Sequence, residues 1–463
     1  MASEWQRYLF EDCMDAIIDY RGKTPKKTNA GIPLITAKII KNGAIQPVKE
    51  FIAEGDYDAW MRRGIPEPGD VVLTTEAPLG EVAQLDSRKI ALAQRVITLR
   101  GKKDFLDNTF LKYLLLSSDV QHQLDGRGTG TTVKGIKQSE LRKLELPIPD
   151  YNTQKYIAHV IGSLDNKIQL NQQTNETLEK MAQALFKSWF VDFDPVIDNA
   201  LEAGNTIPDK LKDRAKRRQQ QLAKPDHQPL PDDIRQLFPD DFELTDELGW
   251  VPMGWEVKPL GASFELLGGH PFKSSSYLDD GNYGVVTIRN VQDGFFVQEC
   301  ANRTSDIPEK MKAHCSLSKG DVLLSLTGNV GRVCIVSEGD YLLNQRVAKI
   351  LGKDAIPKSV AYFFFRQELL YKQMITIAKG TAQQNLSPIE TIKIMCVLPS
   401  NFVLAKLSSP FEALFEKMTE NTVQSQTLTS LRDTLLPKLI SGELRLPSDA
   451  LSDAEQQPAA ATS

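Results

Sequence analysis

The sequence predicts an α+β fold: two similar β-rich globular domains joined by two long antiparallel coiled-coil helices, with a pseudo-two-fold internal duplication. Three observations predict it. Most of one half of the chain recurs in the other half. Short β-branched segments punctuated by Gly, Pro and Asp fill the first part of each copy. An apolar heptad seam runs through the second part of each copy.

The repeat is plainest in PGDVVLTTEAPLGEV (68–82) and KGDVLLSLTGNVGRV (319–333). Their glycines share one displacement, 320 − 69 = 331 − 80 = 251. At this displacement Thr36 meets Thr287, Lys38 meets Arg289, Gly43 meets Gly294, and Gln94-Arg95 meets Gln345-Arg346. After a one-residue slip, GTTVKGIKQSELRKLELPIP (130–149) lies over GTAQQNLSPIETIKIMCVLP (380–399), and Trp5 and Trp255 open the two copies. Similarity this long with almost no gaps marks a duplicated module rather than a short solenoid repeat.

The chain divides accordingly into a first domain (1–150), a first spacer helix (151–190), a linker (191–250), a second domain (251–400), a second spacer helix (401–446) and a disordered tail (447–463). Within the domains, PLITAKII, DVVLTT, QRVITL, VVTIRNV and DVLLSL read as strands. FLDNTFLKYLLLSSDVQHQL and SVAYFFFRQELLYKQMITI read as helices. The tail is low in apolar residues, which predicts disorder.

In the first spacer the apolar positions are Ile157, Ile161, Leu164, Ile168, Leu178, Ala182 and Leu185. In the second they are Leu407, Phe411, Leu414, Met418, Leu428 and Leu435. Steps of three and four make each set one seam. Both seams turn polar in the middle, at Asn171 and Asn175 in the first and at Asn421 and Ser425 in the second. Antiparallel pairing brings these polar layers together and gives each buried amide a partner; a parallel pairing could also match them, so symmetry argues the direction. Asp150 or Asn152 suits the cap of the first helix. Pro410 either starts the second helix, with Ser408 or Ser409 as cap, or kinks it. A helix of about 37 residues is about 55 Å long, so the pair is expected to act as a rigid spacer.

Composition narrows the chemistry. The chain has 463 residues, 41% hydrophobic and 25% charged, with a net charge of −5. Any polyanion must therefore meet local basic patches. No apolar run reaches the roughly 20 residues of a membrane span, and the N-terminus does not read as a signal peptide. Five scattered cysteines without a CxxC predict buried thiols in a reduced, cytoplasmic protein. The histidines lack metal-ligand spacing, and GRGTGTTVKG lacks the order of a P-loop. No amino-methyltransferase or nuclease motif is complete. The basic run from Lys210 to Lys224 reads as a solvated helix face or linker.

What remains is basic and polar character in particular loops. YRGKTPKK (20–27) holds Arg21, Lys23, Lys26 and Lys27, and GRGTGTTVKGIKQ (126–138) holds Arg127, Thr131, Lys134 and Lys137, in each case without an acid. The second copy answers with Lys273, Ser274 and Ser275 in GGHPFKSSSY (268–277), and with Lys379, Gln383, Gln384 and Asn385 in AKGTAQQNLS (378–387). Cations attract phosphate regardless of base, whereas Gln, Asn and Arg read base edges. Lys38 and Arg289 are common to both copies, which suits backbone contact or support more than base discrimination.

These strings resemble the DNA-specificity (S) subunits of type I restriction–modification systems. LLPKLISGELRLP (435–447) and ALFKSWFVDFDPV (184–196) look like the ends of that family's two spacer helices, and ELGWVPMGWEVKPLG (247–261) like its entry into the second recognition domain. DYRGKTP and GTAQQNLSP resemble loops inside the domains. The resemblance implies two target recognition domains, each reading half of a split site in double-stranded DNA. It implies a non-catalytic subunit that binds no cofactor and docks two modification subunits, which use S-adenosylmethionine to methylate adenine. Restriction subunits would join with ATP and Mg. No membrane contact is implied. Because the loops of the two copies differ, the target is expected to be asymmetric. Alternative readings are the specificity subunit of a methyltransferase-only or fused system, an autonomous nuclease or methyltransferase, or a scaffold unrelated to DNA.

Overall fold

The computed structural model describes residues 5–20, 24–130, 133–380 and 384–444. It divides into two units, Met1–Gln169 with Gln426–Ser463, and Leu170–Ser425. The division cuts through both long helices, which span Tyr151–Phe190 and Ser409–Ile440.

In the first unit a four-stranded antiparallel sheet has the order Met14–Asp19, Val96–Gly101, Val71–Thr75, Leu79–Gln84. In the second unit the order is Phe264–Gly268, Val347–Gly352, Val322–Ser325, Val333–Ile335. Even the register repeats: Leu73 lies opposite Ile97, and Leu324 opposite Ala348. The two inner strands of each sheet are mostly buried and rich in Val, Leu and Ile, because both of their faces are covered. A parallel strand pair packs behind each sheet, Leu34 against Ala91 in the first unit and Val285 against Leu342 in the second.

Each domain is closed by an outer strand pair joining its beginning to its end. Gln6–Leu9 pairs with Glu145–Ile148, and Glu256–Pro259 pairs with Met395–Leu398. The first long helix follows Ile148 directly, with the Asp150 carboxylate accepting from Thr153 N at 3.0 Å and from Thr153 Oγ1 at 2.7 Å. That is a capping contact.

The duplication also places a buried aspartate at the same strand start, with different cations. Arg100 grips Asp70 through Nε at 2.8 Å and Nη2 at 2.9 Å. Asp321 instead receives Lys349 Nζ at 2.6 Å and Lys358 Nζ at 2.7 Å. Burial works to raise the Asp321 pKa, but the two lysines and the Ser318 amide outweigh it and hold the carboxyl below its usual range.

Within the second unit the two long helices run antiparallel, Asn171 lying beside Ser425 and Asn175 beside Asn421. The Asn171 Nδ2 donates to Gln424 Oε1 at 2.9 Å and to Ser425 Oγ at 3.3 Å; Asn175 Nδ2 donates to Met418 O at 3.0 Å. Phe411 and Met418 are buried, and Leu178, Leu185 and Leu414 pack at the border of the same core. In the first unit Ile161 and Ile168 are buried, Leu164 and Leu435 border the domain core, and Leu428 is half-buried. There Asp165 accepts from Arg432 Nη1 at 2.9 Å, Lys112 Nζ at 3.2 Å and the Tyr113 hydroxyl at 2.7 Å.

The span 401–446 is not one helix: Asn401–Lys406 ends before Ser409–Ile440 begins. Pro410 sits in the first turn of the longer helix, where its missing N–H costs nothing, and Ser408 bonds Glu412 across the start. The linker 191–250 is folded rather than a plain connection. It folds into helices Asp194–Ala203 and Lys212–Leu222 and a hairpin, Phe242–Thr245 with Gly249–Pro252. Val196, Ile197, Ala200, Phe238 and Phe242 are buried in the second unit's core. Arg214 and Arg218 turn inward to Asp194 and Asp198 while Lys216 and Arg217 stay exposed, so the basic run is a two-sided helix. Its composition hid the apolar spacing.

Among the described residues, no helix is long and apolar enough to cross a membrane, and no three His, Cys, Asp or Glu side chains are grouped to hold a metal ion.

Candidate nucleic-acid interface

The repeated strand–turn–strand and the glycine–threonine loop, distant in sequence, meet in each domain. In the first, the loop closes on itself through Thr129 N to Gly135 O at 2.8 Å and Gly135 N to Thr129 O at 2.9 Å. It is pinned to the turn by an antiparallel bridge between Glu76 and Gly135 and by Ile136 N donating to Thr75 O at 2.9 Å. In the second, Lys379 and Asn385 exchange the same pair of bonds at 3.0 and 2.8 Å. There Thr327 bridges Asn385, and Leu386 N donates to Leu326 O at 2.7 Å.

Glycine is required where this scaffold turns. Gly80 and Gly331 both adopt left-handed backbone, φ +90° and +79°, a region other residues enter at a cost. A Cβ on Gly80 would stand 2.5 Å from Gln121 Oε1, and Gln121 Nε2 itself holds the turn by donating to Gly80 O at 2.9 Å. Gly130 and Gly380 repeat the pattern, with φ of +117° and +114°.

The Gln-Arg pair joins the same rim through its backbone. Arg95 O accepts from Thr75 N at 2.9 Å, and Arg346 O accepts from Leu326 N at 3.0 Å. Both arginine side chains are exposed; Arg95 Nε lies 3.5 Å from Glu76 Oε2. In the second domain the loop bearing Lys273 is tied in as well, because His270 N donates to Leu343 O at 2.8 Å and Gln345 N to His270 O at 3.1 Å.

Lys134, Lys137, Lys273, Ser274, Ser275, Lys379, Gln384 and Asn385 are all exposed on these loops, and Arg127 is half-buried. Several cations are already engaged: Lys134 with Asp125 at 3.0 Å, Arg127 with Glu140 at 3.7 Å. The Glu140 carboxyl is held below its usual range by its Lys143 hydrogen bond first, then by the charges of Lys143, Arg127 and Lys137. Lys26 and Lys27 are exposed at another edge, beside the Phe51 strand, with Lys27 on Glu50 at 2.8 Å. Lys38 and Arg289 are exposed in the single turns after Ile35 and Val286. Arg21, Lys23, Thr131 and Gln383 lie outside the described residues.

Loop composition alone missed the turn itself. Glu76 and Thr327 occupy equivalent positions against the loop, and the buried Thr327 Oγ1 has no hydrogen-bond partner. The signal was present in the repeat, where TEAPLG faces LTGNVG and the glycine stays while its neighbours change.

The family model "Type I restriction modification DNA specificity domain" matches twice, over residues 3–180 and 252–419. The chain belongs to this family. It is similar to the type I restriction enzyme HindI specificity subunit of Haemophilus influenzae, with 29% identity over 72% of this chain and 77% of that one. It is similar also to the MjaIX specificity subunit of Methanocaldococcus jannaschii, at 25% identity over 90% of this chain and 87% of that one. In fold it resembles the crystal structure of a type I restriction–modification S subunit from M. genitalium: TM-score 0.54 and 16% identity, covering 94% and 96% of the two chains. The two matched spans of this specificity-domain protein are its two duplicated copies, and 181–251 falls between them.

Proposed function

We propose that this chain is the DNA-sequence-specificity subunit of a type I restriction–modification complex and recognises a bipartite, asymmetric site, each domain reading one half. One observation carries the asymmetry: both domains build the same turn-and-loop backbone, yet Glu76, Thr129 and Gly135 in one stand where Thr327, Lys379 and Asn385 stand in the other. Equal scaffolds with unequal donors and acceptors suit unequal base sequences. Exposed Lys137, Lys38 and Arg289 suit the phosphates that position each domain, and Gln384 and Asn385 suit base edges.

The reaction belongs to other polypeptides in this reading. Modification subunits bind S-adenosylmethionine and methylate adenine in the two half-sites; motor–nuclease subunits use ATP and Mg. The chain itself supplies recognition and docking, and the work is done in the cytoplasm, where the DNA is.

Mapping methylated adenines in a host that expresses this chain with its cognate modification subunit tests the reading. A split motif with unequal halves is expected, and exchanging residues 1–150 for another domain should change only one half. A continuous symmetric motif would overturn it.

A further inference from the structure

The segment between the two matched spans ends in a hairpin whose base and tip differ in character. At the base, Phe242 and Val251 are buried. At the tip, Leu244 is 67% exposed, Leu248 48% and Trp250 38%. Leu244 and Trp250 are directly opposite one another across the two strands, so they share a face. The turn is well held: Thr245 Oγ1 donates to Gly249 O at 2.9 Å, and Gly249 adopts φ +79°. An ordered hairpin therefore presents a Leu–Trp pair and a second leucine to solvent. An apolar patch with a polar rim marks an interaction surface.

Charge selects the occupant. Asp246 and Glu247 in the turn and Glu243 beside Leu244 are all exposed. Between Arg235 and Lys258 the sequence contains no Lys or Arg. Carboxylates so placed repel DNA phosphates, and they equally repel the same hairpin of a second copy. The C-terminal residues 446–463 carry acids and no cation, so they are a poor match as well. The complementary surface is a protein groove, apolar at its floor and lined by Lys and Arg at its edges.

We infer that this hairpin docks into such a groove on the modification subunit. The inference rests on the function proposed above and adds a specific contact to it. Leu244 and Trp250 supply the buried anchor, and the acidic rim supplies orientation and rate.

The test uses the full chain and its cognate modification subunit. A photo-crosslinking residue at Leu248 is expected to capture that subunit, and the double variant Leu244→Asp/Trp250→Ser is expected to weaken their association at least tenfold by calorimetry. Since all three side chains are exposed, thermal unfolding should hardly change. A charge-reversed Asp246→Lys/Glu247→Lys chain should also bind more weakly, and with a smaller salt dependence. Crosslinks to a second copy or to DNA, or an unchanged affinity in the double variant, would overturn the docking. If the assembled complex still methylated a split site, the proposed function would stand without it. If wild-type chain and modification subunit did not associate at all, both readings would fall.

Discussion

Asn421 Nδ2 donates to Asn175 Oδ1 at 2.9 Å across the two long helices of the second unit. Asn421 is 5% exposed, so its amide depends on this partner. Replacing it with Leu strands the Asn175 carbonyl, at a cost of about 1–3 kcal/mol. The double variant Asn175→Leu/Asn421→Leu removes both polar groups and should recover most of that loss. Urea unfolding of the two singles and the double checks it; a double variant weaker than the sum of the singles would contradict the assignment.

Asp165 gathers Lys112, Tyr113 and Arg432. Burial works to raise its pKa, but Lys112, the Tyr113 hydroxyl and Arg432 together hold it below the usual carboxylate range. A depressed folded-state pKa gives stability that is present above the unfolded pKa of about 3.9 and is lost as pH falls through the folded value. Asp165→Asn should therefore destabilise at pH 7 by on the order of 3 kcal/mol. The gap from wild type should begin to narrow as pH falls past about 3.9 and close only below the lower folded value. Melting curves from pH 7 to pH 3 measure the difference; a constant gap across that range would refute the charge argument.

How far the sequence could be read depended on the kind of information each feature carries. A displacement of whole motifs survives burial and folding, so the recurrence of the strands around Leu73 and Leu324 is legible in the sequence, whereas their shared register is seen only in the fold. The polar seam residues Asn171 and Asn421 were visible too, because a break in an apolar heptad is local. The helical insert was not: Val196, Ile197 and Ala200 are spaced among charges, and the inward turn of Arg214 depends on Asp194 twenty residues earlier. Glu76 and Thr327 escaped for the same reason, since their contact with the glycine–threonine loop is made only in three dimensions.

Lys137 is exposed at the end of the first glycine–threonine loop, just before the short helix Gln138–Leu141. If it meets phosphate, Lys137→Ala lowers affinity alike for cognate and scrambled duplexes. The slope of log affinity against log salt should then become shallower by about 0.9. Fluorescence anisotropy at several salt concentrations decides the matter. A loss confined to the cognate duplex would make Lys137 a base reader instead.

Gly130 is the sharpest probe of the split-site reading. Its φ is +117°, and a Cβ there would lie 2.2 Å from Val133 O, closer than any real contact. Gly130→Ala must therefore move the loop backbone, and with it the Thr129–Gly135 closure that rests on Glu76. The sheet beneath keeps its own ladder, so the domain should stay folded. Gly380 has the same backbone in the other domain, φ +114°. Gly130→Ala is expected to erase discrimination at one half-site and leave the other intact, and Gly380→Ala to do the reverse. Each lost base distinction is worth about 1–3 kcal/mol, so competition against duplexes with one half scrambled should resolve the two variants. Equal losses at both halves would mean that the loops act through the shared helices, and the one-domain, one-half assignment would be wrong.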